Sequence, residues 1–163
     1  MTANVIIHDS PVGPLTLKSN GECLISIWFE KDKRDASRPD AAGARDKILD
    51  QTRRELDQYF AGARKAFDVP FAPNEGTEFQ RKVWKALTRI PFGKTVSYGF
   101  IAKQIGLPKA VRAVGAANGA NPIPIIVPCH RVIGADGSLT GFGGGLDRKR
   151  YLLGLEREEA PLL

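Results

Sequence analysis

The stretch Ile123-Pro-Ile-Ile-Val-Pro-Cys-His-Arg-Val-Ile-Gly134 decides the organisation of this chain, because its apolar run delivers a cysteine between a proline and a histidine. A cysteine within an apolar run is often a buried structural residue. A neighbouring histidine, with a lysine and a glutamate on a later helix, instead favours an activated thiolate, the nucleophilic form of cysteine. Cys129 is therefore the candidate nucleophile, and the structural interpretation stays open at this point.

The two prolines of this stretch bias the residues before them toward extended backbone. We therefore expect a buried extended segment over residues 125–127 that ends at Cys129. Neighbouring side chains of an extended chain point to opposite sides, so His130 would reach the Cys129 sulfur only through a local turn or a bridging water. A histidine that merely satisfies a backbone carbonyl is the alternative.

Composition places the chain among ordinary globular proteins, with 163 residues, 42% hydrophobic and 26% charged. No apolar run approaches the roughly 20 residues that span a bilayer, and the N-terminus shows no signal-peptide pattern, so we expect a cytoplasmic protein without a membrane segment. The cysteines, Cys23 and Cys129, are expected to be thiols. Together with His8 and His130 they match no zinc-binding spacing, so no metal is expected.

Charge is distributed unevenly along the chain. Residues 1–75 carry 11 basic and 12 acidic side chains, which gives −1, whereas residues 76–163 carry 13 and 6, which gives +7. The basic half also contains the cysteine stretch. A positive domain is the electrostatic footprint of a polyanion such as nucleic acid, although many basic domains bind none.

The first half predicts a small α+β domain, residues 1–75, with a mainly structural role. A helix is expected over residues 44–60, because apolar residues recur there at helical spacing, and residues 31–43 read as a charged surface loop. Strands separated by turn residues are expected at 4–9, 15–19 and 24–30, and a further short strand is expected at 67–71.

The second half, residues 76–163, predicts a mostly helical domain. Thr77 and Gln80 fit a capping box that begins a helix running to Pro91. Ser97 caps a second helix over 98–105, and Gly106 turns the chain into a third over 109–118. Two helices joined by a short glycine-containing turn are typical of a helix-turn-helix.

The third helix has a bare face, that is, a face on which glycine and alanine leave few side-chain atoms. Val111 and Val114 are expected to face inward, while Arg112, Gly115, Ala116 and Gly119 share the opposite face at helical spacing. Glycine within a helix costs roughly 1 kcal/mol relative to alanine, so its presence favours close approach to a large partner such as DNA. A surface arginine beside small packing residues is the alternative.

Two further features follow the cysteine. Residues 138–145 are rich in glycine and predict a pocket wall or a lid. A final helix over 147–158 places Lys149, Leu153 and Glu156 on one face. The lysine and the glutamate either extend along the apolar surface to solvent or are buried, and the spacing leaves both open.

The chain resembles the O6-alkylguanine-DNA alkyltransferases, also called methylated-DNA–protein-cysteine methyltransferases. The likeness spans nearly the whole chain and centres on Pro128-Cys-His-Arg-Val132. The other motifs follow in the family's order: Asp9-Ser-Pro-Val-Gly-Pro-Leu-Thr-Leu17, Gly76-Thr-Glu-Phe-Gln-Arg-Lys-Val-Trp84, Ser97-Tyr-Gly99, Arg112-Ala-Val-Gly115, Asn121-Pro122 and Gly143-Gly-Gly145.

This resemblance implies an α+β fold with a ribonuclease H-like first domain and a second domain with a winged-helix-like helix-turn-helix. It implies direct repair of double-stranded DNA, in which Cys129 irreversibly takes one alkyl group from O6-alkylguanine without a cofactor. O4-alkylthymine as a further substrate and cooperative assembly on DNA stay open, and the protein is expected to be a monomer in solution.

The resemblance also assigns roles to individual residues. Glu156, His130 and a water would deprotonate Cys129, and Asn121 would orient the segment. Tyr98 would assist rotation of the nucleotide and protonate the leaving guanine, Arg112 would fill the space of the flipped base, and Lys149 would lie near the pocket. The remaining DNA contacts would be Ala113, Gly115, Ala116, Asn118 and Gly119, and the pocket would be formed by Val132, Phe142, Gly143 and Gly144.

Some positions depart from the family pattern. Phe142 stands where some relatives have tyrosine, Gly143 stands where some have serine, and the zinc ligands of some relatives are missing. Two other functions compete with alkyl transfer. A thiol hydrolase would use Cys129 and His130 on a small substrate with turnover, and a non-catalytic reader of alkylated DNA would lack the cysteine.

Overall fold

The chain divides into two compact units, Met1–Asn74 and Glu75–Leu163. A computed structural model describes residues 3–32, 34–35 and 46–157. Most of the predicted loop 31–43 lies outside these residues. Within the described part of the chain, no helix combines the length and apolar character needed to cross a membrane.

The first unit contains an antiparallel sheet and one helix. Its strands β1 (Asn4–His8), β2 (Leu15–Ser19) and β3 (Leu24–Phe29) pair in that order. Helix α1 (Lys47–Phe60) packs on β2 and β3, and its residues Leu49, Leu56 and Tyr59 are buried. The carboxylate of Asp46 accepts hydrogen bonds from the first turn, which fixes the helix start at Lys47.

The short strand expected over residues 67–71 is reduced to a single bridge between Leu24 and Phe71. The amide of Leu24 donates to the carbonyl of Pro70, but Pro70 has no N–H with which to continue a ladder. The prediction of a strand here is therefore wrong.

The second unit is mostly helical. Its elements are α2 (Glu78–Leu87), β4 (Val96–Ser97), α3 (Tyr98–Gln104), α4 (Val111–Gly119), a 3₁₀ turn (Cys129–Arg131), β5 (Val132–Ile133) and α5 (Leu146–Glu156). Strands β4 and β5 pair in parallel. The capping box of Thr77 and the cap at Ser97 are confirmed, while α2 ends at Leu87 rather than at Pro91. The predicted α+β fold class is confirmed.

The helix-turn-helix consists of α3, a turn at Gly106 and α4. Gly106 adopts φ +78°, a conformation that glycine reaches without steric cost. Helix α4 packs against α2 and α3, and the indole Nε1 of Trp84 on α2 donates to the carbonyl of Ala117 at 2.8 Å. These contacts anchor one side of α4 within the second unit.

Candidate active site

The cysteine segment forms a series of turns instead of the expected extended strand. Ile125 has φ +74°, the amide of Val127 donates to the carbonyl of Ile123 at 2.9 Å, and a 3₁₀ turn covers Cys129–Arg131. The prediction of an extended segment is therefore wrong. The proline bias reaches only Ile123 and Val127, the residues directly before the two prolines, so it leaves Ile125 free to form turns.

Two asparagine side chains hold this segment in place. Asn121 donates from Nδ2 to the carbonyl of Val127 at 2.8 Å and accepts from the amide of Ile123 at 3.0 Å. Asn118, on α4, donates from Nδ2 to the carbonyl of Cys129 at 3.2 Å. Both side chains are buried, so this backbone hydrogen bonding is shielded from water.

The position of Asn118 corrects the expectation that it contacts DNA. Its exposed fraction is 1%, because it lies one helical turn after the buried Val114. The same helical period that identified the exposed face of α4 would have placed Asn118 on the inner face.

His130 and Glu156 form a buried pair. Nε2 of His130 lies 2.7 Å from Oε2 of Glu156, and neither side chain is more than 1% exposed. Burial by itself would raise the pKa of Glu156, but hydrogen bonds from His130 and Arg131 outweigh it and lower this pKa to about 2. An ionised carboxylate only accepts hydrogen bonds, so the network assigns the ring proton of His130 to Nε2.

This tautomer leaves Nδ1 of His130 as the basic ring atom. Among the described residues, Nδ1 is buried and has no hydrogen-bond partner. Burial lowers the pKa of His130 more than Glu156 raises it, and the charges of Arg131 and Lys149 lower it further. The imidazole is therefore neutral at physiological pH and able to accept a proton.

Arg131 completes the cluster, and the sequence reasoning gave it no role. Its Nε donates to Oε1 of Glu156 at 2.7 Å and its Nη2 to Oε2 at 3.0 Å. Its Nη1 donates to the carbonyl of Ile90 at 2.7 Å. The sequence did place this arginine directly after a run expected to be buried. Because a buried charge requires a partner, that position could have indicated an ion pair.

Lys149 places a positive charge in the interior near the cysteine. Its side chain is buried, and Nζ donates to the carbonyls of Val132 at 2.6 Å and Thr140 at 2.8 Å. Burial lowers the pKa of Lys149, while the negative charge of a Cys129 thiolate raises it. By the same attraction an ammonium here stabilises the thiolate. Of the two arrangements left open for Lys149 and Glu156, the structure has the buried one.

Tyr98 lies between α4 and the glycine-rich loop 138–145. Its hydroxyl donates to the carbonyl of Thr140 at 3.1 Å. A Cβ added at Gly115 would lie 3.9 Å from the Tyr98 ring, and one added at Gly141 would lie 3.8 Å from its hydroxyl. Of the four predicted pocket residues, Val132 and Gly144 are buried, Phe142 is half-buried and Gly143 is exposed.

Helix α4 presents small residues on its outer face. Arg112, Ala113, Ala116 and Gly119 are exposed, and Gly115 is half-buried. Val114 is buried as expected, but Val111 is 41% exposed, which corrects its predicted inward position. Val111 is the first residue of the helix and lies one turn before the core contact of Val114. A single arginine thus stands on a surface with few side-chain atoms.

Comparison with known proteins identifies the family. The model of the 6-O-methylguanine DNA methyltransferase ribonuclease-like domain matches residues 5–73, and the model of the DNA binding domain of the same enzymes matches residues 78–158. A methylated-DNA–protein-cysteine methyltransferase of Methanosarcina acetivorans is 54% identical over 150 residues, which cover 92% of this chain and 96% of the relative. The chain belongs to the methylated-DNA–protein-cysteine methyltransferase family.

Solved structures of this methyltransferase family share the fold. The O6-methylguanine methyltransferase of Mycobacterium tuberculosis has a TM-score of 0.85 and 49% identity, covering 99% of this chain and 97% of that one. A structure of the M. tuberculosis protein in complex with DNA has a TM-score of 0.85 and 51% identity, covering 98% and 95%.

The sequence predicts neither a disulfide nor a metal site in this methyltransferase. Among the residues that the structure describes, no cluster of three or more histidine, cysteine or acidic residues could hold a metal ion. Cys23 is half-buried in the first unit, and neither it nor Cys129 forms a disulfide within those residues.

Proposed function

We propose that this protein repairs double-stranded DNA by transferring the alkyl group of O6-alkylguanine to Sγ of Cys129. The observation that carries the proposal is the buried hydrogen bond between His130 and Glu156. It leaves Nδ1 of His130, the residue next to Cys129, without a hydrogen-bond partner among the described residues. The bond between sulfur and the alkyl carbon forms as the bond between that carbon and O6 breaks, and the electron pair stays on the guanine. Each molecule therefore reacts once, without a cofactor.

The proton movements follow from the assigned tautomer. Nδ1 of His130 takes the thiol proton of Cys129 through a water, and Glu156 stabilises the imidazolium that results. The ammonium of Lys149 stabilises the thiolate. Tyr98 assists rotation of the nucleotide and supplies a proton to the departing guanine. Asn121, through its bonds to Val127 and Ile123, keeps the sulfur in position.

The damaged base must leave the duplex to reach this thiol. Cys129 is 5% exposed, and O6 of a stacked guanine is inaccessible to a buried sulfur. The bare face of α4 enters the minor groove, and Arg112 fills the space that the flipped nucleotide leaves. On that face, the residues that approach DNA closely are Ala113, Gly115, Ala116 and Gly119. The extruded base is held by Val132, Phe142, Gly143 and Gly144.

The two halves of the chain divide the work in this proposal. Residues 76–163 bind DNA and transfer the alkyl group, while residues 1–75 have a mainly structural role. The protein acts as a monomer in solution and works in the cytoplasm, where it meets DNA. The M. tuberculosis relative that was solved with DNA supports DNA as the partner.

Intact-mass measurement tests this function. The native protein is incubated with a duplex that contains one O6-methylguanine, and we expect each molecule to gain one methyl group. Cys129→Ala should gain none, and Cys23→Ala, the matched control for the second cysteine, should react like the native protein. Gain of mass by Cys129→Ala, or no gain by the native protein, would contradict the proposal.

A further inference from the structure

Arg131 hydrogen-bonds both carboxylate oxygens of Glu156 on α5. Its Nε and Nη2 donate to the two different carboxylate oxygens, at 2.7 and 3.0 Å. The second of these oxygens, Oε2, is also the one that His130 contacts at 2.7 Å. One guanidinium therefore fixes the plane of the carboxylate that orients the histidine ring.

The guanidinium is itself anchored at a distant point in the sequence. Its third nitrogen, Nη1, donates to the carbonyl of Ile90, just beyond the end of α2, at 2.7 Å. The amide of Gly93 in the same turn lies 3.5 Å from Oε1 of Glu156. Arg131 is 7% exposed, so these bonds are shielded from water. The turn after α2 is thus tied to the carboxylate through one side chain.

We propose that Arg131 is a positioning residue for alkyl transfer, which holds Glu156 so that His130 presents Nδ1 as the base. This inference rests on the proposed function, since it concerns how His130 is oriented as the base that deprotonates Cys129. Arginine suits the task because its planar fork bonds both carboxylate oxygens while a third nitrogen reaches the carbonyl. A lysine has a single ammonium and cannot reproduce this arrangement.

The charges around His130 fix the direction of the expected effect. Glu156 on α5 raises the pKa of His130, while Arg131 and Lys149 lower it. The nucleophile Cys129 lies in the same 3₁₀ turn, and the charged side chains of α2, which packs on this turn, are all exposed. Loss of Arg131 leaves the attraction to Glu156 less opposed, so the pKa of His130 should rise.

The rate of methyl transfer from an O6-methylguanine duplex, measured against pH, tests this role with Arg131→Lys and Arg131→Met. Arg131→Met removes a charge that lowers the pKa of His130, so a base that must be neutral becomes available only at higher pH and the acid limb of its profile should move upward. Arg131→Lys keeps the charge but loses the bidentate hydrogen bonds, so its rate should fall while its acid limb stays near the native position. Near neutral pH, Arg131→Met should react at least about tenfold more slowly, within the roughly 10²–10⁴-fold that a positioned base contributes.

Controls separate positioning from general destabilisation. Arg53→Met removes an exposed arginine bonded to Asp50 at 2.9 Å and should keep the native profile. In a Glu156→Gln background, Arg131→Lys should cause no further loss of rate, because it keeps the charge and its effect on positioning passes through Glu156. Arg131→Lys keeps the positive charge, so the fall in its rate carries the test if Arg131→Met does not fold.

Titration of His130 by NMR makes the test independent of activity. Native His130 should be the neutral tautomer with its proton on Nε2, and His130 should titrate at higher pH in Arg131→Met than in the native protein. An unchanged His130 titration in folded Arg131→Met, or an unchanged rate in folded Arg131→Lys while the native protein transfers methyl, would overturn the role of Arg131. Failure of the native protein to transfer methyl would instead refute the proposed function.

Discussion

Replacing Glu156 with glutamine should remove a large part of the acid sensitivity of the second unit. The carboxylate is 1% exposed, and its pKa is lowered from 4.5 to about 2. A group whose folded pKa is lowered stabilises the protein above its unfolded pKa, and this contribution is lost as the pH falls toward the folded pKa. The difference corresponds to about 3 kcal/mol at neutral pH, of which about 2 kcal/mol is lost by about pH 3.

Urea unfolding at several pH values measures this contribution. The chain has two tryptophans, so Trp28→Phe leaves Trp84 on α2 as a fluorescence reporter of the second unit. At neutral pH, Glu156→Gln should be destabilised by about 3–5 kcal/mol, because Arg131 is left as a buried charge without its partner. Between neutral pH and about pH 3, this variant should lose about 2 kcal/mol less than the native protein.

A matched glutamate in the same unit provides the control. The side chain of Glu78 is 90% exposed, so Glu78→Gln should follow the native pH dependence closely. Parallel loss of stability by the native protein and Glu156→Gln across the acid range would refute the reasoning. It would mean that the ion pair with Arg131 and the hydrogen bond from His130 do not hold the carboxylate in its ionised form.

Three further predictions concern DNA. Gly115→Ala should stabilise the protein by about 0.5–1 kcal/mol in calorimetric unfolding, since the new methyl group would lie at an ordinary 3.9 Å from the Tyr98 ring. The same variant should bind DNA more weakly in fluorescence anisotropy, and an unchanged affinity would argue against close approach of this helix to DNA. Arg112→Ala should slow transfer from a duplex at least about tenfold in quench-flow assays but leave transfer from the free O6-methylguanine base unchanged, and equal slowing would exclude a role in flipping. Duplex affinity should fall about a hundredfold or more from about 50 to about 300 mM salt, for about four phosphate contacts, and constant affinity would rule out phosphate-driven binding.

Local chemistry explains which parts of the fold could be predicted from the sequence. The caps at Thr77 and Ser97 depend on residues within one turn, and both are confirmed. The turns around Ile125 depend on bonds from Asn121, whose side chain closes the segment. Proline spacing alone does not contain that information, so the extended segment was predicted wrongly.

The candidate site shows the same division between near and distant residues. Cys129 and His130 are adjacent, and the spacing of α5 placed Lys149 and Glu156 on one face. Arg131 was missed because its partners, Glu156 and Ile90, are 25 and 41 residues away in sequence. Such pairings are set by tertiary packing, which helical periodicity does not predict.

The stoichiometry and location of the transferred methyl group test the central claim most directly. The protein is mixed with an excess of duplex containing O6-methylguanine, the restored guanine is counted, and the protein is digested and its peptides are sequenced by mass spectrometry. We predict one restored guanine for each protein molecule and one methyl group, on Cys129. Several guanines for each molecule, or a methyl group on another residue such as Cys23, would contradict the account.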